Sequence, residues 1–151
     1  MPMSYGVKRD RKGMMSWSTV ERQLIKARNY WLVTSKANGH AHAAPVWGLW
    51  FDNSFWFSTD PSSRKGRDIW KNPYTILHLE SGDEVVIVEG VSTRLTSQSQ
   101  LVARFVKAYK KKYGFLLDTN NTSYGVYRVK PRIAFAWSEK SLPKSATRWA
   151  F

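Results

Sequence analysis

The sequence predicts a small, mostly antiparallel β-barrel with α-helical additions. Three observations carry that prediction. Short runs of aromatic and β-branched residues alternate with tight-turn signals, giving six or seven strand candidates. Neighbouring candidates follow one another as in a meander, and helical signals are confined to the start, one crossover and a segment between late strands. The chain has 151 residues, 42% of them hydrophobic, which suits one domain with a real core.

The elements follow in order. Residues 1–16 read as a loose polar arm and 17–151 as a single domain. Ser18-Thr19-Val20-Glu21 has the form of a capping box, a serine followed three residues later by a glutamate. It predicts a helix from Thr19 to Arg28 with Val20, Leu24 and Ala27 turned inward. Tyr30 to Thr34 is a strand, and Asn38-Gly39 is a hairpin turn. A long strand is expected from His42 to Phe51, turned by Asp52-Asn53 into another from Ser54 to Thr59. Ser62 to Asn72 reads as a short basic helix stopped by Asn72-Pro73. Strands follow at Tyr74 to Glu80 and Glu84 to Leu95. Ser97 to Tyr113 is the crossover helix, with Leu101, Val102, Phe105, Val106 and Tyr109 on its apolar side and Gly114 at its stop. Two last strands are expected, Tyr124 to Val129 and Arg132 to Trp137.

Composition bounds the chemistry. There are no cysteines, which excludes disulfides, thiol nucleophiles and cysteine-held metal sites. No run of about 18 apolar residues is present, so no membrane-spanning helix is expected. The basic, polar N-terminus lacks the apolar stretch of a secretory signal, and a cytoplasmic location is the default expectation. The net charge of +13 suits an anionic partner: nucleic acid, a membrane surface or a multiply charged small molecule. A self-repelling soluble surface is the plainer alternative. No helix-turn-helix, zinc-finger or RNP-like pattern is present, so no specific nucleic-acid contact is expected.

The strongest chemical signal is Trp56-Phe57-Ser58-Thr59-Asp60-Pro61-Ser62-Ser63-Arg64-Lys65-Gly66-Arg67. A strand ends in hydroxyls, a tight turn follows, and two adjacent cations open a helix. Hydroxyls, free helical N–H groups and paired charges together can hold a phosphate. A solvated basic turn reads equally well from the residues alone. His40 and His42 share a strand face, but no third residue at a sensible spacing completes a metal or haem site, and no metal is expected. Asp83 and Glu84 are adjacent and point to opposite faces, so they suit a turn better than an acid/base pair.

Thr59, then Ser63-Arg64-Lys65, then Asn72-Pro73 and a strand resembles the pyridoxamine 5′-phosphate oxidase-like split barrel. Ala44-Pro45-Val46-Trp47-Gly48-Leu49-Trp50 resembles its preceding strand, and Val85-Val86-Ile87-Val88-Glu89-Gly90 the strand before its crossover helix. Pro45-Val46-Trp47-Gly48 and the ending Ser145-Ala146-Thr147-Arg148-Trp149 resemble the flavin/deazaflavin oxidoreductase branch, many of whose members use coenzyme F-420. The extra basic motifs of the pyridoxamine phosphate oxidases themselves are not found.

The resemblance implies a homodimer with cofactor sites at its interface. It implies that Thr59, Ser63, Arg64 and Lys65 hold the cofactor phosphate. Pro45, Val46, Trp47, Phe57 and Ser58 would border the ring or its linker. Arg148 and Trp149 would close the pocket, from the partner subunit, or else pack at the interface. Coenzyme F-420 is the expected cofactor and FMN the alternative. Excess charge favours the former, whose phosphodiester and glutamate tail Arg67, Lys71 and the Lys107–Lys112 cluster could line. The cofactor carries hydride chemistry with a flat, unsaturated or quinone-like small molecule, so no side chain is needed as catalytic acid or base. An FMN reductase or oxidase, or a non-catalytic cofactor or haem binder, are the competing functions.

Overall fold

The computed structural model describes residues 12–151. Its elements are α1 (Trp17–Lys26), β1 (Tyr30–Ser35), β2 (Ala41–Val46), β3 (Gly48–Phe51), β4 (Ser54–Thr59), α2 (Arg64–Lys71), β5 (Tyr74–His78), β6 (Glu84–Leu95), α3 (Gln100–Tyr113), β7 (Gly125–Ser138) and β8 (Thr147–Ala150). All strand pairs are antiparallel. Their order is β2-β1-β5-β6-β7-β4-β3, with β8 beside the far half of β7. The two ends of this path, β2 and β3, are separated in the chain only by Trp47. The sheet therefore curls back on itself and parts where those strands diverge. This is the expected mostly β split barrel with helical additions.

Local chemistry explains most boundaries. The β1–β2 turn uses Gly39 at positive φ, and the β3–β4 turn places both Asp52 and Asn53 there, the backbone that two-residue hairpins favour. Ser99 caps α3, and Gly114, in the left-handed region, ends it. The apolar face of α3 falls where its periodicity places it: Val102, Phe105 and Tyr109 are buried against Trp56 and Val126 on the outside of the sheet. The barrel interior holds Tyr30, Leu32, Phe55, Phe57, Leu77 and Val88, and Val20 and Leu24 of α1 join the same cluster.

Four expectations need correction. Ser16, not Ser18, caps α1: its Oγ accepts from the Thr19 amide at 3.3 Å, while Glu21 instead accepts the Trp50 indole N–H at 3.0 Å. The long strand from His42 to Phe51 is two strands. Its first half pairs with β1 up to Tyr30↔Val46, and its second with β4 from Gly48↔Phe57. Gly48 makes the corner feasible, because a Cβ there would lie 2.3 Å from the Phe55 ring and 2.7 Å from the Trp56 carbonyl. The two late strands are one, β7. Its register against β6 slips between Glu89 and Gly90, leaving Arg132 as an extra residue whose carbonyl accepts from Phe151 at 3.0 Å. The C-terminal tail forms β8, giving eight strands among the described residues.

Of the expected arm, residues 1–11 lie outside the described residues. Met15 donates its amide to Thr147 Oγ1 at 2.9 Å, so this stretch is tied to β8. No helix among the described residues is long and apolar enough to cross a membrane.

Candidate functional site

Two unpaired backbone edges meet at the Trp47 corner. β2 pairs with β1 on one side only. β3 stops opposite Phe57, so among the described residues Ser58 and Thr59 pair with β7 and with nothing on their other side. Arg64, at the start of α2, bridges from here to β2 through an Nη2 bond to the Ala41 carbonyl at 3.4 Å.

The turn after β4 is built around Ser63. Its Oγ lies 3.2 Å from Thr59 Oγ1 and accepts from the Gly66 amide at 3.2 Å, capping α2. The Arg67 amide bonds the Ser63 carbonyl at 2.9 Å. The amides of Arg64 and Lys65 precede the first intrahelical bond and have no helical acceptor. Two hydroxyls and two open amides thus gather at one helix end, whose first two residues are the cations Arg64 and Lys65. Gly66 lets the loop close on the helix, because a Cβ there would lie 2.4 Å from the Pro61 carbonyl oxygen and 2.7 Å from that of Asp60. Asp60 turns its carboxylate onto Ser62, accepting from the hydroxyl and the amide at 2.7 Å each. Those two bonds, the hydroxyl's first, hold Asp60 below the usual carboxylate range.

Arg64 is held from behind. Its Nε lies 3.7 Å from Oδ2 of buried Asp68, which also accepts from Thr34 Oγ1 at 3.1 Å. Sequence reasoning missed Asp68, Thr34 and the packing role of Gly66. The i,i+4 spacing of Arg64 and Asp68 was the available signal.

Two cavities adjoin this group. One, of about 440 Å³, is lined by Trp47, Ser58, Thr59, Asp60, Tyr109, Phe115, Leu117, Ser123 and Tyr124. It is aromatic, and Ser58 Oγ beside it is buried without a partner. The other, of about 470 Å³, is lined by Lys36, Ala37, Asn38, Arg64, Arg67, Asp68 and Lys71. Four of these side chains are cations, and the only carboxylate is the one held by Thr34 and Arg64.

The end of α3 fixes the corner itself. Tyr113 stacks on Trp47 at 4.7 Å and 5°, and the Arg28 guanidinium lies over both rings at 5.3 and 5.7 Å. The Tyr113 hydroxyl donates to the Arg28 carbonyl at 2.7 Å and accepts the Gly48 amide at 3.0 Å. Lys112 Nζ donates to Tyr30 Oη at 2.9 Å and to the Gly48 carbonyl at 3.1 Å. Burial, and then the Arg28 charge, bring the Lys112 ammonium down to about 8. Burial, and then Tyr113, push Tyr109 up to about 12.

The structure thus brings the Thr59 and Ser63 hydroxyls together, with Arg64 and half-buried Lys65 next along the start of α2, and Trp47, Ser58 and Thr59 onto one cavity. Pro45 and Val46 lie on the free β2 edge. The Phe57 side chain is fully buried, stacked on Tyr127 and Phe55. Arg148 and Trp149 sit on β8, where Trp149 packs edge-on against Trp17 at 5.4 Å, away from the two cavities. Lys112 is engaged at the corner rather than free on the helix surface. His40 and His42 belong to no three-residue metal cluster among the described residues.

Comparison with known families decides the lineage. Residues 18–138 match the model of the family described as pyridoxamine 5′-phosphate oxidase. The chain belongs to that family. Solved structures agree on the fold. A conserved hypothetical protein of Mycobacterium tuberculosis superposes with a TM-score of 0.74 at 20% identity, covering 88% of this chain and 91% of that one. An F-420 reductase gives 0.60 at 16% identity, covering 75% and 94%. A haem storage protein of Vibrio cholerae gives 0.67 at 12% identity, covering 77% and 89%. Comparison with curated proteins finds no match. Family membership carries the split barrel and includes oxidoreductases, while the structural neighbours include both redox and haem proteins.

Proposed function

We propose that the chain is an oxidoreductase that binds coenzyme F-420 at the split and uses it on a flat, unsaturated or quinone-like molecule. The observation that carries this reading is the continuity of anion-binding groups. The phosphate-holding turn and the cavity with four cations share Arg64. A single phosphate would satisfy the turn alone. A phosphodiester followed by carboxylates would also use the exposed cations Lys36, Arg67 and Lys71, with no free acid to compete.

In this reading Thr59, Ser63, Arg64 and Lys65 hold phosphate oxygens. Asp68 orients Arg64, whose planar fork suits two oxygens at once. Pro45, Val46 and Trp47 offer a free strand edge and an aromatic wall to the ring, and the unpartnered Ser58 hydroxyl supplies a hydrogen bond there. Phe57 contributes through its backbone position, since its ring belongs to the core. The bound deazaflavin would supply hydride transfer; the protein supplies position and an aromatic-walled cavity. A homodimer would bring Arg148 and Trp149 of a second copy to the pocket. FMN is the second reading, because the same turn would accept its one phosphate.

The test is the double substitution Arg64→Ala with Lys65→Ala. Charge-assisted bonds contribute about 1.5–3 kcal/mol each, so cofactor affinity should fall by about a hundredfold or more while the protein stays folded, with a lowered thermal midpoint because buried Asp68 loses its ion pair. Unchanged affinity would show that the phosphate lies elsewhere.

A further inference from the structure

Trp70 is the most exposed tryptophan among the described residues, with Trp47 next at 38%. It is 87% exposed at the last turn of α2, although its neighbour Ile69 is buried. Trp17, Trp31, Trp47, Trp50, Trp56 and Trp149 each pack on another aromatic ring; Trp70 and Trp137 have no ring partner among the described residues, and of these two Trp137 is half-buried and Trp70 exposed. It stands between two hollows. One, of about 420 Å³, reaches Pro61, Gly66 and Tyr127. The other, of about 530 Å³, runs to Ser97 and the polar loop Thr119–Thr122.

Both hollows have a second wall in common, Arg94 of β6. The only ion pair among the described residues joins Arg64 and Asp68, so Arg94 has no carboxylate partner among them. Neither hollow is lined by Asp or Glu. The rim of the larger one carries Ser97, Thr119, Asn120, Asn121 and Thr122, all hydrogen-bonding groups.

We infer that the cleft around Trp70 and Arg94 is a second ligand site, for a planar aromatic molecule that carries one anionic group. The exposed indole offers a stacking face to a flat ring. The unpaired guanidinium matches two oxygens of a phosphate or carboxylate in one plane. The amides and hydroxyls take up polar ring substituents. A purely apolar ring would leave Arg94 and the rim unused, and a simple anion would leave the indole in water. The site is separate from the phosphate-holding turn: none of Thr59, Ser63, Arg64 or Lys65 lines it. It touches the reverse side of the same loop through Pro61 and Gly66.

The test uses the full chain and calorimetric titration with adenosine 5′-monophosphate, benzoate, adenosine and inorganic phosphate. Binding of the monophosphate or of benzoate is expected, with adenosine and phosphate each at least about tenfold weaker. The preferred probe identifies the anion as phosphate or carboxylate. Trp70→Ala and Arg94→Met should each weaken that probe by about tenfold or more, while Arg64→Ala with Lys65→Ala leaves it unchanged. Loss in the latter variant alone would place the probe at the phosphate-holding turn and overturn the inference. So would absence of any binding below about 1 mM. A change of oligomeric state in Trp70→Ala would make the ring a contact between copies and also overturn it. Because coenzyme F-420 binding is expected to survive Trp70→Ala, failure of this site and failure of the proposed function are read separately.

Discussion

Replacing Gly66 by alanine should destabilise the protein, although it sits inside a helix, where glycine to alanine normally gains roughly 1 kcal/mol. The reason is the loop packed on α2. The added Cβ would lie 2.4 Å from the Pro61 carbonyl oxygen, 2.7 Å from the Asp60 carbonyl oxygen and 2.7 Å from the Pro61 carbonyl carbon. All three are backbone atoms, so no side chain can swing away. Overpacking of this kind costs about 1–3 kcal/mol and sometimes more. Contacts this far inside van der Waals distance belong to the upper part of that range, about 2–3 kcal/mol, so against the helix gain a net loss of about 1–2 kcal/mol remains. At roughly 2–4 °C per kcal/mol for a chain of this size, the thermal midpoint should fall by about 2–8 °C. Relief of the clash moves the Asp60–Ser63 turn, so cofactor affinity should fall as well, by about tenfold. Gly82→Ala is the control, because a Cβ there meets nothing within 4 Å. Differential scanning calorimetry gives the stability and a binding titration the affinity. If Gly66→Ala matched or exceeded the wild type in both, the loop would not be packed as described, and the reasoning about the phosphate site would fail.

Two further outcomes concern the corner. Lys112, brought down to about 8 in the folded protein from an ordinary 10.5, binds its proton more weakly than in the unfolded chain. Stability should therefore rise as pH climbs from about 8 towards 10, and Lys112→Met should flatten that rise in chemical denaturation curves. Above that window the trend should reverse, because burial raises Tyr30 and Tyr113 and the unfolded tyrosines ionise first. Tyr113→Phe keeps the ring on Trp47 but removes the bonds to the Gly48 amide and the Arg28 carbonyl. It should cost about 1–2 kcal/mol, seen as a lowered thermal midpoint with the aromatic cavity retained.

The readable parts of the fold were those whose cause is local. The apolar side of α3, the stop at Gly114, the β4 strand and the turns at Gly39 and Asp52-Asn53 each depend on residues within a few positions. The Thr59–Ser63 contact belongs here too, since a strand end and a helix cap four residues apart must lie close. The missed features depend on distant partners. The break at Trp47 exists because its two flanks pair with different strands, and only Gly48, read against Phe55, hints at it. The union of the last two strands relies on a bulge opposite Gly90, where β-propensity says nothing. β8 forms because β7 has a free edge beyond β4. Ser18 looked like a cap because the Ser-x-x-Glu spacing fits, yet Glu21 is engaged by Trp50, on a strand far along the chain. Asp68 behind Arg64 needed Thr34 of β1 to become visible.

The central claim is that the split holds a deazaflavin through the turn at Ser63 and the adjoining basic cavity. Its most direct test is a parallel titration of cofactor-free protein with coenzyme F-420 and with FMN at physiological salt. The account predicts tight binding of coenzyme F-420, clear preference over FMN, and loss of that binding in the Arg64→Ala, Lys65→Ala variant. Selective FMN binding would transfer the site to the second reading. Failure of both to bind below about 100 µM, a free energy weaker than about −5.5 kcal/mol, would contradict the account.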